Sequence, residues 1–211
     1  MMLPTHALAG MVLALPVAVA APEFAPVALA AGLAGGVLPD LDMYVGHRKT
    51  LHYPVYFSGL AAGALVVALV VPTALTVGLA VFLLGAALHS VTDVFGGGLE
   101  LRPWEGTSDR AVYSHYHGEW IAPRRYVGYD GSPADFLLSG VLAAPLLVTV
   151  DGPFRLAVLA GLAVAVVYTA VRRVLPTLAE RLVEAYGPVL PGVVLSNLPA
   201  RYCQGTGADE G

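Results

Sequence analysis

Cysteine is nearly absent from this chain and charge is scarce. The single cysteine, Cys203, excludes a disulfide framework and a thiolate zinc cluster. A metal bound here must be held by histidine and carboxylate. Charged residues make up 12% of the 211 residues, roughly half the share of an ordinary soluble domain. The net charge is -4 and the 11 basic residues form no dense block, so nothing points to nucleic acid. A Gly-x-Ser-x-Gly nucleophile elbow and a phosphate-cradling glycine loop are also missing.

What replaces the charge is oil. Hydrophobic residues reach 57% and mean hydropathy is +0.72. Six apolar segments run roughly over 5–21, 24–38, 54–71, 73–94, 134–150 and 154–171. A bilayer span takes about 17–25 residues, so the second and fifth are thin spans and the rest are adequate. The expectation is an all-α polytopic membrane protein with about six transmembrane helices. Residues 1–175 form the membrane-embedded domain. Residues 176–211 form a cytoplasmic tail, with a surface helix near 177–186 and a disordered Gly/Asp/Glu end. No Lys or Arg precedes the first segment, so it reads as a retained helix rather than a cleaved signal. Proline near segment starts suits helix entry, as do Ser132-Pro133-Ala134-Asp135, read as an N-cap. Gly59 and Gly63 carry the small-xxx-small spacing of ordinary helix packing.

Basic residues orient the chain. With a cytoplasmic N-terminus, loops 39–53 and 95–133 and the tail are cytoplasmic. They hold ten of the eleven basic residues, leaving Arg155 near the other face. Both termini are thus expected in the cytoplasm, with the protein in the cell (inner or plasma) membrane. Loop 95–133 carries Trp104, Tyr113, Tyr116, Trp120, Tyr126 and Tyr129 and reads as an interfacial flap over the cytoplasmic mouth. Alternation over Val112–His117 and Arg125–Tyr129 allows a short hairpin within it, and Asp130-Gly131 marks a turn.

The same topology gathers the ionisable residues. His6 opens the first helix, Asp40 and Asp42 follow the second, His52 precedes the third, and His89 and Asp93 end the fourth. Ionisable groups at the edges of apolar runs are costly, and these share one leaflet. Singly, each has a plain structural use, such as capping or snorkelling; together they describe a centre. His89 and Asp93 are four apart and face the same way on a helix. Imidazole and carboxylate suit a divalent metal, with zinc or manganese foremost. His6, Asp40, Asp42, His52, His89 and Asp93 are the expected metal residues. Asp42 or His47 is the expected general base, and Arg48 and Lys49 the expected contacts for an anionic substrate. His115 and His117 lie in the exposed loop and carry no assigned role.

In order, Thr5-His6, Leu38-Pro39-Asp40-Leu41-Asp42, His47-Arg48 with His52, and His89-Ser90-Val91-Thr92-Asp93 resemble the metal-dependent hydrolases of the inner membrane. That family is also described as LexA-regulated or LexA-binding. The resemblance covers about residues 4–105, through Arg102-Pro103-Trp104. Lys49 stands at the glycine of the family's His-Arg-Gly-x-Thr-His-Ser, Thr50 is displaced by one, and Tyr53 stands at the serine. The resemblance implies a polytopic protein with the six metal residues named above.

The function expected is metal-dependent hydrolysis of a phosphoester or lipid-like substrate at the cytoplasmic interface. The alternative is a non-enzymatic metal-binding or regulatory membrane protein. The lipid bilayer is the expected partner. Paired histidine boxes of a di-iron oxidase and the Asp-x-x-Asp-Gly run of a CDP-alcohol phosphotransferase do not occur. Ionisable residues are missing from the central turns of all six segments, which disfavours a transporter.

Overall fold

The computed structural model describes residues 1–43, 45–189 and 191–192. The expected Gly/Asp/Glu end, with Arg201 and Cys203, lies outside them. The described chain is mostly helical, with two short strands.

The first apolar segment is two helices. α1 (Leu3–Leu13) gives way to α2 (Leu15–Ala20), with Pro16 in the first turn of α2, where its missing N–H goes unnoticed. α3 (Ala25–Val37) is prolonged by 3-10 turns at Pro22–Phe24 and Leu38–Asp42. These turns make a 21-residue apolar stretch of a segment expected to be thin. α4 (Pro54–Val70) and α6 (Pro133–Thr149) are apolar helices of 17 residues each. α5 (Ala74–Thr92) opens on a reciprocal cap between Thr73 and Thr76 and passes into a 3-10 turn at Asp93–Phe95. α7 spans Gly152–Val171 and α8 Leu175–Tyr186. Four stretches are long and apolar enough to cross a membrane: Leu3–Ala20, Pro22–Asp42, Ala74–Phe95 and Gly152–Val171. These make the chain a membrane protein. α8 differs from the rest in being strongly amphipathic, as its Glu180, Arg181 and Glu184 among leucines foretell.

α1 is the axle of the bundle and packs against α3, α5, α6 and α7. Leu8, Met11, Ala28, Leu29, Val81, Leu146 and Val158 fill the space between them. The closest approaches run through glycine. A methyl group on Gly10 would collide with the Gly32 carbonyl oxygen, one on Gly36 with the His6 carbonyl, and one on Gly35 with the Phe82 carbonyl. At Gly85 it would lie 3.0 Å from Gly32 O and Gly36 N. These glycines, and not Gly59 and Gly63, are the ones at close helix contacts. A methyl on either of those two would meet nothing within 4 Å. The outer faces of α4 and α7 leave Leu60, Leu69, Leu156 and Val167 exposed, as residues that face lipid must be.

Loop 95–133 carries a short hairpin and hydrogen-bonds to Arg48 and to the end of α5. β1 (Val112–Ser114) pairs antiparallel with β2 (Glu119–Ile121). The hairpin therefore turns over 115–118, with Gly118 at φ +73, and Arg125–Tyr129 is not its second strand. That later segment instead hydrogen-bonds back to the end of α5, with Arg125 N–H on Gly96 O and Val127 N–H on Phe95 O. Asp130 anchors the loop to α7, accepting from Tyr168 and from Arg172 at 2.8 Å. Asp135, with Ser132 as its helix cap, accepts from Met2 N–H and Thr5 Oγ1 at 2.7 Å each and fastens α6 to α1.

Candidate metal centre

The 3-10 turn Leu38–Asp42, the segment before α4 and the last turn of α5 converge beside the start of α1. Four ligand atoms, one each from Asp40, His52, His89 and Asp93, lie within 4.8 Å of one another. His89 Nε2 is 3.4 Å from Asp40 Oδ1 and 3.6 Å from Asp93 Oδ2. His52 Nε2 is 3.4 Å from Asp93 Oδ2 and 3.9 Å from Asp40 Oδ1. These ion-pair contacts are too long for good N–H···O hydrogen bonds. Three of the four, at 3.4–3.6 Å, come near the donor–donor spacing around a metal, since donors about 2.0–2.1 Å from a tetrahedral ion are about 3.3 Å from one another; the His52–Asp40 contact is longer.

The histidine tautomers are set from behind. His89 Nδ1–H donates to the Gly36 carbonyl at 2.7 Å, and His52 Nδ1–H donates to Asp42 Oδ2 at 3.0 Å. Each ring thereby turns its Nε2 toward the cluster, and both Nε2 atoms are buried without a hydrogen-bond partner. Two partnerless imidazole nitrogens facing two carboxylates fit a divalent cation, and the backing hydrogen bonds are those that orient metal ligands. Nitrogen and oxygen donors of this kind suit zinc, manganese or iron. His52, His89 and Asp93 are sealed, whereas the Asp40 side chain is 10% exposed and reaches a cavity.

His6 and Asp42 stand one step behind the four. Asp42 accepts four hydrogen bonds, from His47 Nδ1, His52 Nδ1, Leu51 N–H and Arg48 N–H. That load makes it an orienting group for two rings. His6 donates from Nε2 to Asp93 Oδ1 at 2.9 Å and stacks on His89 with ring centroids 3.7 Å apart. The α-ammonium of Met1 meets the same Asp93 oxygen at 2.7 Å.

Arg48 and Lys49, adjacent in sequence, go to different places. Arg48 is buried at φ +59, a backbone shape that costs a non-glycine residue about 1–3 kcal/mol. It is held there by Nη1–H donated to Gly97 O at 2.7 Å, by Tyr113 N–H on its carbonyl, and by Asp93 Oδ2 lying 3.5 Å from Nε. Burial alone would depress the guanidinium. Asp93, Asp130, Asp40 and Glu100 instead hold its pKa above the ordinary arginine value. Lys49 is exposed and lies over the Tyr113 ring at 4.4 Å. His115 donates to Lys49 O and stacks on Tyr53, and His117 pairs with Ser114 Oγ. Both serve the hairpin.

Glu100 was not among the sequence candidates. Both of its carboxylate oxygens are buried without a hydrogen-bond partner, and the residue lines the cavity that Asp40 reaches. A lone acid in a loop carries no spacing by which to notice it.

The chain matches no family model, no curated protein and no solved structure.

Proposed function

We propose that the protein is a membrane-embedded metal-dependent hydrolase, of the kind its motifs resemble, acting on a phosphoester or lipid-like substrate at the cytoplasmic face. The observation that carries this reading is the pair of partnerless Nε2 atoms of His52 and His89, aimed at Asp40 and Asp93 in a water-excluded end of the bundle. Asp40, His52, His89 and Asp93 would hold a divalent ion, which when bound would supply a water of lowered pKa and polarise a phosphoryl or acyl oxygen. The residues supply the rest. Asp42 accepts from His47 Nδ1, which leaves His47 Nε2 free to take a proton beside the cavity. Arg48 sets positive charge next to Asp93 and lines the same cavity. In the membrane the six apolar segments, the first made of α1 and α2, are six spans with both termini cytoplasmic, and loop 95–133 is the flap over the site.

Protein purified with zinc or manganese should release product from a phosphoester and lipid-ester panel. It should lose that activity with chelator, regain it on metal addition, and lack it as Asp40→Asn or His47→Gln. Metal-loaded protein inert across the panel sinks the reading. Reporter fusions after residues 45 and 115 should signal from the cytoplasm, and those after 72 and 152 from the other side. An external signal at 115 overturns the topology.

One observation favours a second reading. Four protein ligands can close a tetrahedral ion, as in structural zinc sites, whereas catalytic sites keep a position open. In that case the centre is a metal-binding or regulatory device, marked by tight metal retention without turnover.

A further inference from the structure

The cavity reached by Asp40 has a volume of about 770 Å³, within the range of small-molecule sites. Its two ends differ in chemistry. One end is polar and carries Asp40, His47, Arg48 and Glu100. The rest is mostly apolar apart from the Asp130, Tyr168 and Arg172 group, walled by the first residues of α1, by Val164 of α7 and by α8. Leu175, Leu178, Ala179, Leu182 and Val183 turn toward it with helical spacing, and this is the apolar face that makes α8 amphipathic. Leu178 and Leu182 remain about half exposed although their helix lies against the protein. An ion pair between Arg102 and Glu180 ties the opposite, polar side of α8 to the loop. At the polar end, Arg48 Nε and both Glu100 oxygens are buried without hydrogen-bond partners. A carboxylate without a hydrogen-bond partner and a guanidinium whose Nε has only the 3.5 Å ion pair with Asp93, set at one end of a long apolar wall, describe the complement of an amphiphile.

We propose that this cavity binds a long-chain phosphoester, its phosphate at the Arg48 end beside Asp40, a hydrogen-bond donor of its headgroup on Glu100, and its alkyl chain along α8. The proposal deepens the hydrolase reading and rests on it for the fate of the phosphoester, not for binding. A bare phosphate would set its charge against Glu100, so a headgroup carrying an ammonium is favoured over one without. Each buried methylene strengthens binding by up to roughly fourfold, so chain length is the sensitive variable.

The test uses the full chain, metal-loaded, in amphipol. Binding is measured by calorimetry for dodecyl phosphate, butyl phosphate and dodecyl phosphoethanolamine, with metal content read separately. The dodecyl probe should bind at least tenfold more tightly than the butyl one. Leu178→Trp with Leu182→Trp should erase that margin while butyl binding and metal content stay unchanged. The ethanolamine-headed probe should outbind dodecyl phosphate, and Glu100→Gln should remove its advantage. Equal affinity for long and short chains, or a chain-length margin that survives both tryptophans, overturns the proposal. A headgroup preference indifferent to Glu100→Gln overturns the placement of the head. Tight, chain-dependent binding without turnover leaves the cavity assignment standing and removes the hydrolase.

Discussion

Gly32 and Gly36 on α3 share their four-residue spacing with Gly59 and Gly63 on α4, yet the two pairs do opposite things. The α3 pair lies against the backbone of α1, so tightly that a methyl group at either position would strike a carbonyl oxygen. The α4 pair faces open space. The difference teaches that spacing alone does not make an interface; what matters is what the neighbouring helix must deliver. At the α3 pair, α1 delivers His6, whose ring stacks on His89, while Gly36 itself accepts the hydrogen bond that turns His89 toward the cluster. One glycine therefore sets both the distance between two helices and the direction of a ligand.

Gly36→Ala should be the most damaging change. Backbone must move to admit the methyl group, an overpacking cost of about 3 kcal/mol or more. Thermal unfolding in detergent and metal stoichiometry should fall together; retention of metal by a destabilised variant would uncouple the seam from the centre. Next is His89→Ala, which removes a candidate ligand and its hydrogen bond to Gly36 O but leaves the close glycine contacts of the seam in place. Metal affinity should drop by more than ~100-fold, exceeding the ~10–100-fold typical of a residue behind the ligands. Helical content by circular dichroism should stay near that of the wild type. Asp42→Asn keeps shape but weakens the acceptor behind His52 and His47, and should lower metal affinity by ~10–100-fold. An affinity equal to that of His89→Ala would instead place Asp42 on the ion. The smallest effect belongs to Gly59→Ala or Gly63→Ala, where a better helix former meets no neighbour. A gain of ~0.5–1 kcal/mol is expected, and a clear loss would reveal a neighbour on the face of α4 that carries these two glycines.

The helices and the centre were legible in the sequence to different depths. His6, Asp40, His52, His89 and Asp93 announced themselves because ionisable side chains at the ends of apolar runs have few cheap explanations. Their division of labour did not. Asp40 and Asp42 are two residues apart on a 3-10 turn, and only the fold shows one facing the cluster and the other facing His47 and His52. Arg48 and Lys49 look alike on paper, but the left-handed backbone at Arg48 buries one and leaves its neighbour on Tyr113. The glycine seam was hidden by abundance: with 24 glycines in the chain, spacing alone could not pick out the ones in contact. Glu100 and the inner face of α8 gained meaning only when the cavity brought them to the same place as Asp40.

The uneven burial of the four cluster residues has a kinetic consequence. Of the four, three are sealed in the bundle and only Asp40 lines the cavity, so among the described residues the way from the cavity to the cluster runs past Asp40. An ion held there would enter and leave past Asp40, and a chelator would act at a rate set by that passage rather than by affinity. An occupant of the cavity would stand in the same doorway. On the proposed reading loading would be ordered, metal first and amphiphile second, and a bound amphiphile would slow metal loss without adding a ligand.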